Sequence, residues 1–182
     1  MRIIAGTHRG RRLVAPLGET TRPTSDRARQ ALFDMLLHAP WAGRNALEGA
    51  RVLDAFAGCG ALGLEALSRG AAHAVFMDTA SAARAATRAN IAACREEPRC
   101  TLLPADATRP PRAPAPCSLA FLDPPYHAGL LPRALAALSA QGWFAPGALL
   151  CLEMARDDTP PDAEILADRT HGAARLIVLR AA

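Results

Sequence analysis

The stretch FLDPPY, residues 121–126, ends an apolar run with a carboxylate, stiffens the next two positions with proline and finishes on the chain's single Tyr. Proline fixes its own φ and donates no hydrogen bond. The Asp123 side chain and the carbonyls around Asp123 and Pro124, stiffened by Pro124 and Pro125, therefore form a rigid set of acceptors. A nucleobase exocyclic amine is a poor nucleophile because its lone pair is delocalised into the ring. Accepting hydrogen bonds from its two N–H groups localises that pair and aims it at an electrophile. The Tyr126 ring offers a stacking face, worth about 1–3 kcal/mol per base. A Pro-rich loop with a buried Tyr explains the turn, but not its place at the end of an apolar strand.

A second constellation is DAFAGCGALG, residues 54–63, which closes a strand and opens a helix. Gly58, Gly60 and Gly63 fit GxGxxG, and Asp78 ends the next apolar run 20 residues after Gly58, as in nucleoside-binding α/β folds where an acid accepts from the ribose hydroxyls. The pattern alone does not separate NAD from S-adenosylmethionine. Asp54 does: a carboxylate there would repel a pyrophosphate and would suit the ammonium of a methionine moiety. Asp106, in PADA after the third apolar run, falls at the same carboxyl edge, where open α/β sheets bind ligands.

Charge is concentrated at one end. Residues 1–30 hold seven Arg against Glu19 and Asp26, a local excess of five positive charges in a chain whose net charge is +4. Arg2, Arg9, Arg11, Arg12 and Arg22 are the candidates for phosphate contact, since each neutralised phosphate releases counterions; a solvated basic arm is the alternative. The chain has no Lys, to which we attach no functional weight. The five Cys lack the spacing of a metal knuckle or redox pair, so no metal site is expected. No apolar run approaches the roughly 20 residues of a membrane span, and MRIIAGTHRGRR lacks a signal-peptide h-region. A soluble cytoplasmic protein, monomeric by default, is expected.

These residues need elements to position them. Arg2 to Ala5 and Arg11 to Val14 predict two short strands around the turn-rich GTHRG. Thr24 or Ser25 can cap a helix with apolar positions Ala28, Ala31, Leu32, Met35 and Leu36, ended by Pro40. The polar segment 43–50 reads as a linker, which divides the chain into a basic extension, 1–43, and a main domain, 44–182. From Arg51 onward, apolar runs at 52–56, 74–78, 100–104, 119–123 and 148–154 are separated by helical stretches at 61–69, 80–94 and 129–140. Strands buried on both faces and alternating with helices predict a parallel α/β sheet. The tail AEILAD, RTHGA, ARLIVLR predicts strand, turn and strand, an antiparallel hairpin that brings the sheet to seven strands. Residues 104–117, with five Pro, read as a loop.

MRIIAGTHRGRRL, RPTSDRARQALFDML, LDAFAGCGALGLEALSRGA and DPPY, in that order over nearly the whole chain, resemble the bacterial small-subunit ribosomal RNA guanine-N2 methyltransferases of the RsmD type. The resemblance implies a Rossmann-like class I methyltransferase fold with an RNA-engaging N-terminal extension. It implies methylation of one guanine N2 amine in 16S rRNA, on a 30S particle or an assembly intermediate. It would have Asp54, Phe56, Ala57, Gly58, Gly60 and Asp78 hold S-adenosylmethionine, Asp106 and Ala107 its adenine, and Asp123 to Tyr126 the base. Where many relatives carry a second acid or a basic residue after Asp78, this chain has Thr79, Ala80 and Ser81, which implies fewer ribose contacts. Direct in-line transfer needs no Cys nucleophile. The rival readings are a DNA adenine or cytosine amino-methyltransferase, disfavoured by the absence of a large target-recognition domain, and a non-catalytic RNA-binding assembly factor. An NAD-linked reductase is more distant.

Overall fold

The computed structural model describes residues 1–16, 26–42, 46–126 and 129–182. Helix α1 (Asp26–His38) precedes β1 (Arg51–Ala55), α2 (Ala61–Ser68), β2 (His73–Met77), α3 (Ser81–Cys94), β3 (Cys100–Leu103), β4 (Cys117–Leu122), α4 (Leu130–Ala140) and β5 (Phe144–Ala155), and the chain closes with β6 (Ile165–His171) and β7 (Ala174–Arg180). The strands form one seven-stranded sheet in the order β3-β2-β1-β4-β5-β7-β6. The first five run parallel and the last pairings are antiparallel, as the alternating pattern and the tail predict. The final turn is tighter than RTHGA suggests: β6 continues to His171, and Gly172, with φ of 65°, turns the chain.

Alternation along each strand divides the core in two. Val52, Phe76, Leu119, Phe121 and Cys151 face the N-terminal segment and helices α1 to α3. Leu53, Val75, Ala120, Leu122 and Leu152 face α4 and Trp143. Burying Leu53, Phe76 or Phe121 completely contributes about 1.5–3 kcal/mol each. The proline-rich segment 104–116 is a loop, anchored where Trp143 Nε1 donates to the Pro111 carbonyl at 2.8 Å.

The predicted N-terminal hairpin forms, but with one antiparallel bridge, Arg2 to Arg12, in place of two strands. Its outer edge is turned to other partners. The amides of Ile4 and Ala5 donate to the Glu65 carboxylate at 2.7 and 3.0 Å, and those of Thr7 and His8 donate to the Ser68 carbonyl and hydroxyl. Gly6, with φ of 79°, is required here, because a Cβ would overlap the Ser68 carbonyl. Ile3 and Leu13 are buried in the same cluster as Val52 and Phe121.

Helix α1 presents a face rotated from the predicted one. Arg29, Leu32, Phe33 and Leu36 are buried, and Phe33 packs on Phe121 with ring centroids 5.5 Å apart. Arg29 is therefore internal, bonded to Asp26 and to the Arg2 carbonyl, and does not add to the surface charge of this end. The predicted caps Thr24 and Ser25, Arg22 and the boundary at 43/44 lie outside the described residues. Within 46–50, Leu47 and Ala50 are buried, so this part of the expected linker packs on the core.

Candidate functional site

The chain steps outward from β1 to β2 and β3, then returns to β4 on the other side of β1. That reversal leaves a crevice at the carboxyl ends of β1 and β4, the place where open α/β sheets bind ligands. Asp54 and the glycine-rich turn lie at one of these strand ends and Asp123 at the other.

The turn begins at Phe56, whose φ of 63° is left-handed and stores about 1–3 kcal/mol of strain. Gly58 and Gly60, at φ 56° and 77°, continue it into α2. The Ala57 amide donates to the Met77 carbonyl at 3.1 Å, which ties the turn to β2. Gly63 serves packing: a Cβ there would collide with the Phe76 ring.

Asp54, 2% exposed, accepts from the Gly63 amide at 2.8 Å. Asp78 accepts from the Gly58 amide at 2.9 Å through one oxygen and from Ala80 at 2.8 Å through the other. Asp106 closes a local turn, accepting from the amide and hydroxyl of Thr108, and these bonds hold its carboxyl below the usual range; Ala107 beside it is buried.

Burial pushes the Asp54 carboxyl up to about 8; the Gly63 N–H opposes this, and the charges of Asp123 and Asp78 add to it. Three acids, Asp54 within β1 and Asp78 and Asp123 just past β2 and β4, thus act on one edge of the sheet. Such an edge suits a ligand with cationic groups and repels a pyrophosphate, so these residues fit the sulfonium and ammonium of S-adenosylmethionine.

The same shift predicts a pH dependence of stability. Between the ordinary value near 3.8 and about 8, the unfolded carboxyl is ionised while the folded one keeps its proton. The folded state then binds more protons, and stability falls as pH rises through that window. We expect the thermal midpoint of the ligand-free protein to drop between pH 5 and 8 relative to Asp54→Asn, by the equivalent of a few kcal/mol. Parallel pH profiles for the two proteins would refute the shift.

Asp123 is half-buried, Pro124 is buried, and Pro125 and Tyr126 are exposed. The Tyr126 hydroxyl donates to Glu153 Oε1 at 2.6 Å. Asp123 and Glu153 share a cleft walled by Leu32, Leu62, Phe121 and Leu176, which joins α1, α2 and β7 to the ends of β4 and β5.

Two groups of residues escape the motif reading. From α3, Thr87 Oγ1 donates to the Gly58 carbonyl at 2.8 Å, and Asn90 Nδ2 donates to the carbonyls of Cys59 and Val14 at 2.9 Å each. Their signal is polar residues within the buried stripe Ala83, Ala86, Thr87, Asn90, Ile91, Cys94. Glu153 is the other, an acid within the apolar run ALLCLEM that mirrors Asp123 at the end of LAFLD.

Of the arginines, Arg2 pairs with Asp26 at 3.7 Å and Arg11 donates to the Ala93 carbonyl. Arg9 and Arg12 are exposed and have no acidic partner among the described residues. Burial raises the thiols of Cys100 to about 12 and of Cys117 to about 11; Cys59, Cys94 and Cys151 are raised too. Thiolate nucleophiles are thereby disfavoured. Among the described residues no cluster of His, Cys, Asp and Glu is arranged to hold a metal ion, and no helix is long and apolar enough to cross a membrane.

A family model described as Conserved hypothetical protein 95 matches residues 1–180. The chain is 33% identical over 179 residues to Ribosomal RNA small subunit methyltransferase D of Haemophilus influenzae, covering 94% of this chain and 89% of that protein. It is 37% identical over 153 residues to the protein of the same name from Escherichia coli, covering 84% and 74%. A solved structure described as the putative methyltransferase yhhF from Escherichia coli superimposes with a TM-score of 0.84 at 33% identity, covering 99% of this chain and 97% of that one.

Proposed function

This chain belongs to the RsmD-type family of class I methyltransferases, and from that premise we propose that it methylates the exocyclic N2 amine of a guanine in 16S rRNA, using S-adenosylmethionine. The substrate is the RNA of the 30S subunit or of an assembly intermediate, and the enzyme acts as a cytoplasmic monomer. The observation that carries this proposal is the placement of Asp54 and Asp123 at the carboxyl ends of β1 and β4, where the strand order reverses, with Asp78 just past the adjoining end of β2.

Asp54 receives the ammonium of the donor. Phe56, Ala57, Gly58 and Gly60 line its path, Asp78 accepts from its ribose, and Asp106 with Ala107 holds its adenine. S-adenosylmethionine held by these residues would supply an electrophilic methyl carbon, with the sulfonium sulfur as leaving group. Asp123 and the carbonyl of Pro124 accept the two N–H groups of the guanine amine and aim its lone pair. Pro125 keeps that turn rigid, and the exposed ring of Tyr126 stacks on the base. The carboxylate of Asp123 stabilises the developing ammonium, whose extra proton then passes to water. No covalent enzyme intermediate is needed.

Residues 1–43 form the RNA-engaging extension and 44–182 the catalytic domain. Arg2, Arg9, Arg11, Arg12 and Arg22 contact phosphates. Replacing Arg9 and Arg12 together by Ala should weaken RNA binding and lower the slope of log affinity against log salt by about 1.4–1.8, since each phosphate contact contributes roughly 0.7–0.9. Fluorescence anisotropy across a salt series reads this directly, and an unchanged slope would assign both residues to a solvated face.

The function is tested by transfer from labelled S-adenosylmethionine to 30S subunits, protein-free 16S rRNA and duplex DNA from cells lacking this protein, followed by nucleoside mass analysis. N2-methylguanosine in either RNA sample supports the proposal. Methyladenine or methylcytosine in the DNA overturns the substrate, and donor binding without any transfer identifies an assembly factor.

A further inference from the structure

The carboxylate of Glu153 shares the cleft with Asp123, yet the transfer chemistry above gives it no task. Leu122 of β4 pairs in parallel with Leu152 of β5, so Asp123 and Glu153 follow at the same level on neighbouring strands, whose spacing is about 4.8 Å. Phe121 and Cys151, two residues earlier on each strand, belong to the core face shared with α1, so alternation turns both acids toward that helix. Leu32 of α1, Leu62 of α2 and Leu176 of β7 supply apolar walls. The Tyr126 hydroxyl, from the DPPY turn itself, bonds Glu153 Oε1 at 2.6 Å and fixes the carboxylate relative to Asp123. A carboxylate accepts at about four lone-pair positions, so Glu153 can hold several donors at once.

We propose that Glu153 is the residue that specifies guanine: its carboxylate accepts the N1–H of the base while Asp123 accepts from the adjacent N2 amine. The inference rests on the guanine-N2 reading and deepens it. Among the bases with an exocyclic amine, guanine alone presents a ring N–H beside that amine. Adenine and cytosine present a ring nitrogen lone pair there, which would face a carboxylate across an apolar cleft. Two acceptor-only groups side by side therefore select the donor–donor edge. An apolar environment sharpens the choice, because a wrong base sets a lone pair against the carboxylate with little water to screen it. Tyr126 acts here as a positioning residue, through its hydroxyl on Glu153.

The test uses the RNA or particle that the wild-type protein methylates, carrying either guanosine or 2-aminopurine riboside at the modified position. 2-Aminopurine keeps the N2 amine but has a lone pair at N1 in place of the proton. Affinity is measured without donor, and single-turnover transfer with it. Wild type should prefer guanine by about 100-fold or more. Glu153→Gln, whose amide can donate, should narrow that preference at least about tenfold while S-adenosylmethionine binding, by calorimetry, stays the same. The missing O6 of 2-aminopurine affects both proteins equally and cancels in the comparison. Tyr126→Phe, which keeps the ring, should narrow the preference in the same direction by a smaller factor, and it decides the matter should Glu153→Gln not fold. A preference unchanged in both variants, with guanine still methylated by wild type, overturns the role of Glu153 alone. Absence of guanine methylation by wild type overturns the guanine reading and this inference with it.

Discussion

Asp123→Ala should reduce methyl transfer by a factor of at least about 10²–10³, the loss typical when a preorganised group facing developing charge is removed, while S-adenosylmethionine binding changes less than about twofold. Asp123 follows the last residue of β4 and is half-buried, so truncation leaves the sheet intact. Pro124 and Pro125 still fix the turn. On the proposed mechanism, what disappears is the carboxylate that localises the amine lone pair and offsets the positive charge growing on nitrogen. Donor affinity is pulled both ways, since the edge loses one negative charge while Asp54 is relieved of a repulsive neighbour. The Asp123 charge is one of the influences that hold the Asp54 carboxyl near 8. Its removal makes Asp54 easier to ionise and, at neutral pH, a better partner for an ammonium. Calorimetry and single-turnover kinetics on one preparation separate the two quantities. Turnover within about tenfold of wild type would remove Asp123 from the chemistry, and lost donor binding would make it a donor ligand.

The largest loss of stability is expected at Glu65→Ala. Glu65 is fully buried and accepts from the amides of Ile4 and Ala5 and from Arg69 Nε at 2.7 Å. The Arg69 side chain is itself only 5% exposed and lies 4.8 Å over the Phe33 ring. Truncating the acid strands a buried guanidinium and two backbone donors, a change that costs about 3–5 kcal/mol. For a chain of this size that corresponds to a drop in Tm of about 6–20 °C. The lesion also releases the hairpin that carries Arg9, Arg11 and Arg12. RNA affinity should therefore fall along with Tm, and the amides of Ile4 and Ala5 should lose protection from hydrogen exchange. A Tm within about 2 °C of wild type would show that the hairpin is held by Ile3 and Leu13 instead.

The main sheet was legible because its strands are buried on both faces and read as unbroken apolar runs, and the observed ends of β1, β2 and β3 lie within a residue of those runs. Asp78 and Asp123 stand out as candidates because each ends such a run, and Asp54 because it interrupts one. The buried face of α1 could not. A helical stripe rotated by one residue fits the periodicity nearly as well, and the true stripe includes Arg29, which no apolar count would choose. The hairpin was over-read as two strands because its edge amides serve Glu65, a partner 61 residues from Ile4. Glu153 and Asn90 are polar residues inside apolar patterns. What they touch follows only from which strands and loops become neighbours, and that is a property of the folded sheet.

Glu65 lies 61 residues after Ile4, and Asn90 lies 76 residues after Val14. During synthesis, at about 5–20 residues per second, the basic arm thus exists for several seconds before its seat does. Closing contacts this distant is entropically costly until the intervening strand and helices have formed, so docking of the arm belongs to a late stage of folding. An interaction made late is largely absent from the folding transition state. Lesions such as Glu65→Ala should then act mainly on the unfolding rate and leave the folding rate nearly unchanged, and the lifetime of the native arm becomes a kinetic property to which the buried Glu65 carboxylate contributes beside Ser68 and Asn90.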